Sequence, residues 1–351
     1  MRCKMKTNKA ILSYFLSRGL FLGGGISTLF LYSNKDAYIS ILLGSLLGIG
    51  IVYIISKVST NITTSLTEYL KEKKLLNILI RLVFIIYLLF LIAISIIILA
   101  TFLYSYFIPF TPSLISCLPF IILTTLLNSK STTKISYVAQ ILLVISIFLI
   151  ITKILLLTNE FDFSNLLPIF STKPTSIFKT ATIFAILSTS PFLTLIDEQI
   201  TFKQNLKYYL LSMLTIFIVV LSITVVLGEM VNIYSYPEYS VLRKISLFNF
   251  IENIENFVSA GWFFDIFISL SICSLKFKNL INRQSNFIPF IVVLIILKLV
   301  SDYIANNFYN SIAIYKVFPW ILGILLLIIL ILLALKKNSN QHYSKSTVKY
   351  I

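Results

Sequence analysis

Apolar residues in this chain run in long blocks separated by short polar or basic breaks, with neither the strict alternation of a strand nor the striping of a surface helix. Blocks long enough to cross a bilayer fall at about 10–32, 37–56, 78–107, 114–128, 135–157, 177–196, 207–231, 254–275, 286–305 and 315–335. A crossing needs about 20 mostly apolar residues for a hydrocarbon core about 30 Å thick, so the pattern predicts an all-α polytopic membrane protein with about ten transmembrane helices. The fourth block is the shortest, and Pro109, Pro112 and Pro119 around it predict a kink or tilt. No stretch between blocks has the length of a soluble domain. Residues 1–351 therefore read as one transmembrane domain: a terminal segment 1–9, a first half 10–157, a second half 177–335 and a tail 336–351.

Two blocks are interrupted. In the first, Gly23, Gly24 and Gly25 stand in a row, with Gly19 one turn earlier. Each glycine gives up roughly 1 kcal/mol of helix propensity against alanine, so this is the softest point of the span. Unwound backbone at membrane depth must be buried in protein or line a water-filled cavity. The same glycines would also suit a close helix crossing, and both readings stand at this point. In the sixth block, Ile186-Leu-Ser-Thr-Ser-Pro-Phe-Leu-Thr-Leu195, Pro191 removes a backbone donor, and Ser188, Thr189 and Ser190 can bond freed carbonyls or a ligand. An ordinary proline kink is the plainer alternative. Five blocks precede the sixth, so two related halves would be inverted, with broken helices at corresponding places. That arrangement points to a binding site near the midplane.

Charge changes the picture in one respect. A net charge of +16 in a soluble protein would suggest nucleic acid, but here 58% of residues are hydrophobic, 12% are charged and mean hydropathy is +0.95. The basic residues sit in short loops, where they set topology, so no nucleic-acid partner is expected. With ten spans and a cytoplasmic amino terminus, twenty Lys and Arg fall on the cytoplasmic side against six outside, which predicts both termini inside. Arg2, Lys4, Lys6 and Lys9 precede an apolar run too long for a signal peptide and without a small-residue cleavage site. Cys3, Cys117 and Cys273 are odd in number and far apart, and the only histidine is His342 in the polar tail. No disulfide framework, metal site or cofactor is expected.

Charges inside spans are candidates for function. Arg18 lies two turns from the glycine break, at a depth from which it can snorkel to the cytoplasmic surface or serve a gate. Asp265 sits near the middle of the eighth span and needs a partner, for which Lys298 or Lys153 is expected. Asp265, Arg18 and Lys298 are the candidate coupling residues. Glu229 and Asp302 read as interfacial. Tyr87, Tyr104 and Tyr106 suit either a cavity wall or the aromatic belt, with the belt favoured for the latter two. Between Asn232 and Glu255, Leu242, Ile245, Phe248 and Ile251 recur every three residues, as in a helix lying on the outer surface.

The same connection, Tyr236-Pro-Glu-Tyr-Ser-Val-Leu-Arg-Lys-Ile-Ser-Leu-Phe-Asn-Phe-Ile-Glu-Asn-Ile-Glu255, running into Ala260-Gly-Trp-Phe-Phe-Asp-Ile-Phe-Ile-Ser269, resembles the spore germination permease family, the B-type subunits of nutrient germinant receptors. The resemblance implies the inverted five-plus-five fold of the amino acid, polyamine and organocation transporter superfamily, with broken helices one and six. It also implies a small nutrient, usually an amino acid, bound between those helices. By position, the amides around Gly23, Gly24 and Gly25 would meet a carboxylate, and Ser188, Thr189, Ser190, Phe192 and Thr194 would line the other wall. Implied partners are other germinant-receptor subunits and the lipid bilayer of a bacterial cytoplasmic or spore inner membrane. A plain amino acid permease shares the fold and is the second reading. A membrane-embedded transferase is the third, and it is disfavoured: no span holds a histidine, and Asp197 and Glu198 are adjacent, so their side chains would diverge on a helix.

Overall fold

The computed structural model describes residues 8–21, 24–62, 64–71, 74–108, 111–128, 131–244, 254–281 and 287–347. Among them every regular element is helical, and seven helical stretches are long and apolar enough to cross a membrane. The first apolar block is split. A short 3-10 turn leads into α1 (Leu12–Arg18), and α2 (Gly24–Ser33) follows after the interruption. Asn34, at φ 44°, turns the chain back into α3 (Ala37–Ser59). α4 (Leu66–Tyr69) is a single turn capped by the Ser65 hydroxyl.

α5 (Leu75–Phe102) runs on through a π-helical turn, Leu103–Phe107, and is followed by α6 (Ser113–Asn128), the short fourth span with Pro119 inside it. α7 (Thr132–Leu157) turns Ile141, Val144 and Phe148 outward, as expected of a helix at the lipid boundary. α8 (Pro174–Thr189) starts on proline, whose missing N–H costs nothing in a first turn, and passes into a 3-10 segment, Ser190–Leu195. α9 (Phe202–Leu227) opens with a capping box between Thr201 and Gln204 and closes at Gly228, whose φ of +54° suits a residue without Cβ.

The centre of the bundle depends on glycine. α3 lies along α8 and α9. A Cβ on Gly44 would stand 2.5 Å from the Ala181 carbonyl oxygen, and one on Gly48 would stand 1.8 Å from the Tyr209 hydroxyl. Gly44 and Gly48 are four residues apart, a small-xxx-small face that lets backbones approach where no hydrophobic effect drives helices together.

α10 (Pro237–Leu242) is short and packs on α9 and α11 (Ile254–Leu280), with Pro237, Glu238, Tyr239, Val241 and Leu242 buried. This part of the connection is therefore internal and not an outer-surface helix, because its aromatic and proline side chains fit between two spans. Ile245, Phe248 and Ile251 lie outside the described residues. The blocks 286–305 and 315–335 share one helix, α12 (Phe287–Thr347), in place of two spans with a reversal between them. The polar stretch between them has no glycine or proline to stop a helix.

The bundle has two ends. One carries Lys9, Asp197 and Lys276 and is called the amino face below. The other, the far face, carries the 34–36 turn. There buried Asp36 accepts hydrogen bonds from the Phe170 and Thr172 amides (3.2 and 2.8 Å) and the Ser171 and Thr172 hydroxyls (3.0 and 2.9 Å).

Candidate functional site

The two interruptions face one another in the middle of the bundle. α1 ends at Arg18, where the Gly19 amide still donates to the Phe15 carbonyl at 2.8 Å and the Phe21 amide to the Arg18 carbonyl at 2.9 Å. Helix resumes at Gly24. The glycines divide the two roles. Gly19 serves a crossing, since a Cβ there would come within 2.3 Å of the Ser269 hydroxyl on α11. Gly25 serves the break, since a Cβ would come within 2.0 Å of the Leu20 carbonyl oxygen, the backbone folded back over it. Gly24 opens α2, and Gly23 lies outside the described residues.

Opposite, Pro191 removes a helical donor and the chain tightens to a 3-10 turn at Ser190. α1 packs on this segment, and Phe21 meets Phe184 of α8 with ring centroids 5.0 Å apart. The hydroxyls here are mostly used locally. Ser188 donates to Ala185 O (3.2 Å), Thr189 donates to the same carbonyl (2.6 Å), and Thr194 donates to Pro191 O (2.8 Å). Phe192 packs edge-on against Tyr209. Ser190 differs: its Oγ is buried without a hydrogen-bond partner among the described residues, and its carbonyl accepts the Tyr87 hydroxyl at 2.5 Å. Tyr87 thus caps the sixth-span break. A tyrosine in the middle of the apolar third span, away from its ends, is the signal for it in the sequence.

Beside the first break lies a buried ion pair. Arg18 Nε donates to Asp265 Oδ2 at 3.0 Å, and its Nη1 donates to the Tyr14 hydroxyl (3.0 Å) and Thr215 Oγ1 (2.6 Å). Both side chains are 5% exposed. Arg18 therefore does not snorkel to the surface, because Asp265, Tyr14 and Thr215 solvate it inside. Nor is Lys298 the partner of Asp265: it is exposed and pairs with Asp302 at 2.7 Å one turn along α12. Lys153 is buried 6.0 Å from the Trp262 ring. A cavity of about 20 Å³ lies against Arg18, Phe21, Ile26, Trp262 and Asp265, room for a water and too small for a nutrient.

The two faces differ. At the amino face, Lys276 bridges Asp197 (2.5 Å) and Glu198 (2.6 Å), Lys9 reaches Glu198 (2.7 Å), and the Leu66 amide donates to Asp197 (3.2 Å). Asp197 and Glu198 lie in the turn after the 3-10 segment, not on a helix, so their side chains converge on one lysine instead of diverging. Burial works against the Glu198 carboxylate, but Lys276 and Lys9 outweigh it and hold its pKa down at about 2. This cluster ties the amino-terminal segment, α4, the end of the sixth span and α11 together. At the far face, a cavity of about 330 Å³ opens beside α2. Ser27 and Thr28 line it, one helical turn beyond the break.

Residues 6–284 match a family described as spore germination protein. No curated protein matches the chain. Among solved structures, two variants of the Eremococcus coleocola manganese transporter are similar at TM-score 0.54, with 14% and 13% identity, over 92% of this chain and 78% of theirs. The same transporter in complex with an aromatic bis-isothiourea substituted compound aligns at TM-score 0.53 and 14% identity, over 93% of this chain and 76% of that one. These likenesses show a shared transporter fold. Family and fold are those of permeases, not enzymes.

Proposed function

This chain belongs to the spore germination protein family, and from that premise we propose that it is the transporter-like membrane subunit of a nutrient germinant receptor. Its ligand is a small nutrient, an amino acid, taken between the broken first and sixth spans of a five-plus-five inverted repeat. The observation that carries this reading is the packing of two helix interruptions against each other, next to a buried ion pair and one turn from a cavity open to the far face. The basic residues of the amino-terminal segment support a cytoplasmic amino face, with the far face toward the incoming nutrient.

Ligand at the first break would meet amides of Gly24 and Gly25, where a helix amino end favours a carboxylate. Gly23 belongs to the same proposed wall. On the opposite wall, Ser190 has the uncommitted hydroxyl; Phe192 shapes the wall, and the Ser188, Thr189 and Thr194 hydroxyls donate to the Ala185 and Pro191 carbonyls. All five side chains are buried, so a ligand reaches them only if the packed segments part. Binding would thus favour an arrangement in which the two halves separate, and that population shift would be passed to other receptor subunits. The manganese of the similar transporters would need a set of oxygen or nitrogen ligands. The described residues bring no three His, Cys, Asp or Glu side chains together, and an organic nutrient fits the hydroxyl-rich interior better.

Germination of spores lacking this chain, scored across single amino acids, sugars and nucleosides, tests the proposal. Loss of response to one amino acid, reproduced by Gly25→Ala in a normally inserted protein, is the expected result. Unchanged germination would move the function to the second reading, a plain amino acid permease, which the likeness to transporter structures favours and which uptake assays would reveal.

A further inference from the structure

The far-face cavity has a chemistry of its own. Its wall is assembled from α2, the end of the third span, the segment after α9, and α12. Tyr106 and Tyr236 stand edge to face with centroids 5.2 Å apart, and Tyr315 faces them from α12, its hydroxyl fixed at 2.9 Å from Thr101 Oγ1. Thr28 reaches across to the Tyr315 carbonyl at 3.3 Å, so α2 and α12 are joined at the cavity floor. Among the described lining residues there is one charged side chain, Lys316, and no carboxylate. Lys316 forms no ion pair among the described residues, and Glu238, buried in α10, does not line the space.

A volume of about 330 Å³ falls at the lower end of the range typical of small-molecule sites. One cation at the rim gives a carboxylate a fixed partner, and tyrosine faces and edges offer an apolar or aromatic body broad contact at little entropic cost. A polyol would find hydroxyls here too, but it would leave Lys316 unused. We infer that this cavity is a capture site for a small carboxylate with an apolar or aromatic body, held by Lys316 and the tyrosines one turn above the helix break. The inference rests on the nutrient-binding reading and narrows its ligand class. Selection would then happen in two steps, with the carboxylate and ring read at the far face before the helices move.

The test uses purified full-length chain in nanodiscs carrying Ser235→Cys, an exposed lining position, and follows maleimide labelling above the wild-type background. L-phenylalanine is the probe, with L-phenylalaninamide and glucose beside it. The expected result is that phenylalanine slows labelling and the other two do not. Lys316→Gln should then raise the concentration needed for protection by about tenfold, while Lys316→Arg keeps protection. Equal protection by the amide or by glucose, or full protection in Lys316→Gln, would overturn the carboxylate assignment. No protection by any probe would overturn the capture site itself. Neither failure touches the nutrient-receptor reading, which stands or falls on germination of spores without the chain.

Discussion

A guanidinium in a membrane interior is tolerated only where polar partners replace water, and Asp265, Tyr14 and Thr215 do so for Arg18. Removing one member strands the other. Asp265→Asn or Arg18→Met should each cost about 3–5 kcal/mol, seen as a large drop in the thermal stability of the purified protein, while Arg18→Met with Asp265→Leu should recover most of it. The double variant also separates structure from function. If it inserts and folds, lost nutrient response assigns the pair to the mechanism, and a normal response assigns it to architecture. Each charge could be picked out from the sequence as an oddity in an apolar block. Their pairing across 247 positions could not, because it depends on where α1 stops and how α11 crosses it at Gly19 and Ser269.

Helices in lipid gain nothing from hiding apolar surface from one another, so their contacts depend on how close backbones can come. α3 shows this in three glycines. Gly44 faces the Ala181 carbonyl at a distance that admits no Cβ, whereas a Cβ on Gly50 would have nothing within 4 Å. Gly44→Ala should therefore push α3 from α8 and cost about 1–3 kcal/mol, while Gly50→Ala should be neutral or gain up to about 1 kcal/mol from helix propensity. Thermal unfolding of the two variants in the same detergent checks the contrast, and equal effects would remove the close-packing account of this helix pair. The spacing of Gly44 and Gly48 is visible in the sequence. The interrupted first and sixth blocks were legible for the same kind of reason, since glycine and proline act on the backbone directly. The continuity of α12 was not, because an asparagine-rich stretch can end a helix or ride on one, and its neighbours decide.

At the scale of the whole molecule, the amino face is tied together by charge around an open cavity of about 640 Å³ that Lys9, Asp197, Glu198 and Lys276 line, and the far face holds a smaller one of about 330 Å³. The tie is electrostatic and should respond to pH. Glu198 has its carboxyl pKa lowered from 4.5 to about 2, so its contribution is fully present above about pH 4.5 and is lost as pH falls through about 2. Thermal stability should fall across that window. In Glu198→Gln the fall should be smaller, with stability at neutral pH already reduced by the loss of Lys9 and Lys276 as partners. A wild-type profile in Glu198→Gln would show that the cluster does not hold the amino face.

What the sequence alone determined is what local chemistry dictates: long apolar blocks that must be helices in a bilayer, loops too short for a soluble domain, two blocks whose glycine and proline weaken the helix at corresponding places, and a connection from Tyr236 to Ser269 that resembles one family. The tertiary structure decided what depends on distance between remote parts of the chain. It brought Arg18 to Asp265, turned Asp197 and Glu198 onto Lys276, set the Tyr87 hydroxyl on the Ser190 carbonyl, and enclosed the far-face cavity among four elements. Backbone propensity is a property of a few neighbouring residues and can be read along the chain. A hydrogen bond or a cavity requires particular groups a few ångströms apart, and only the packed helices fix that separation.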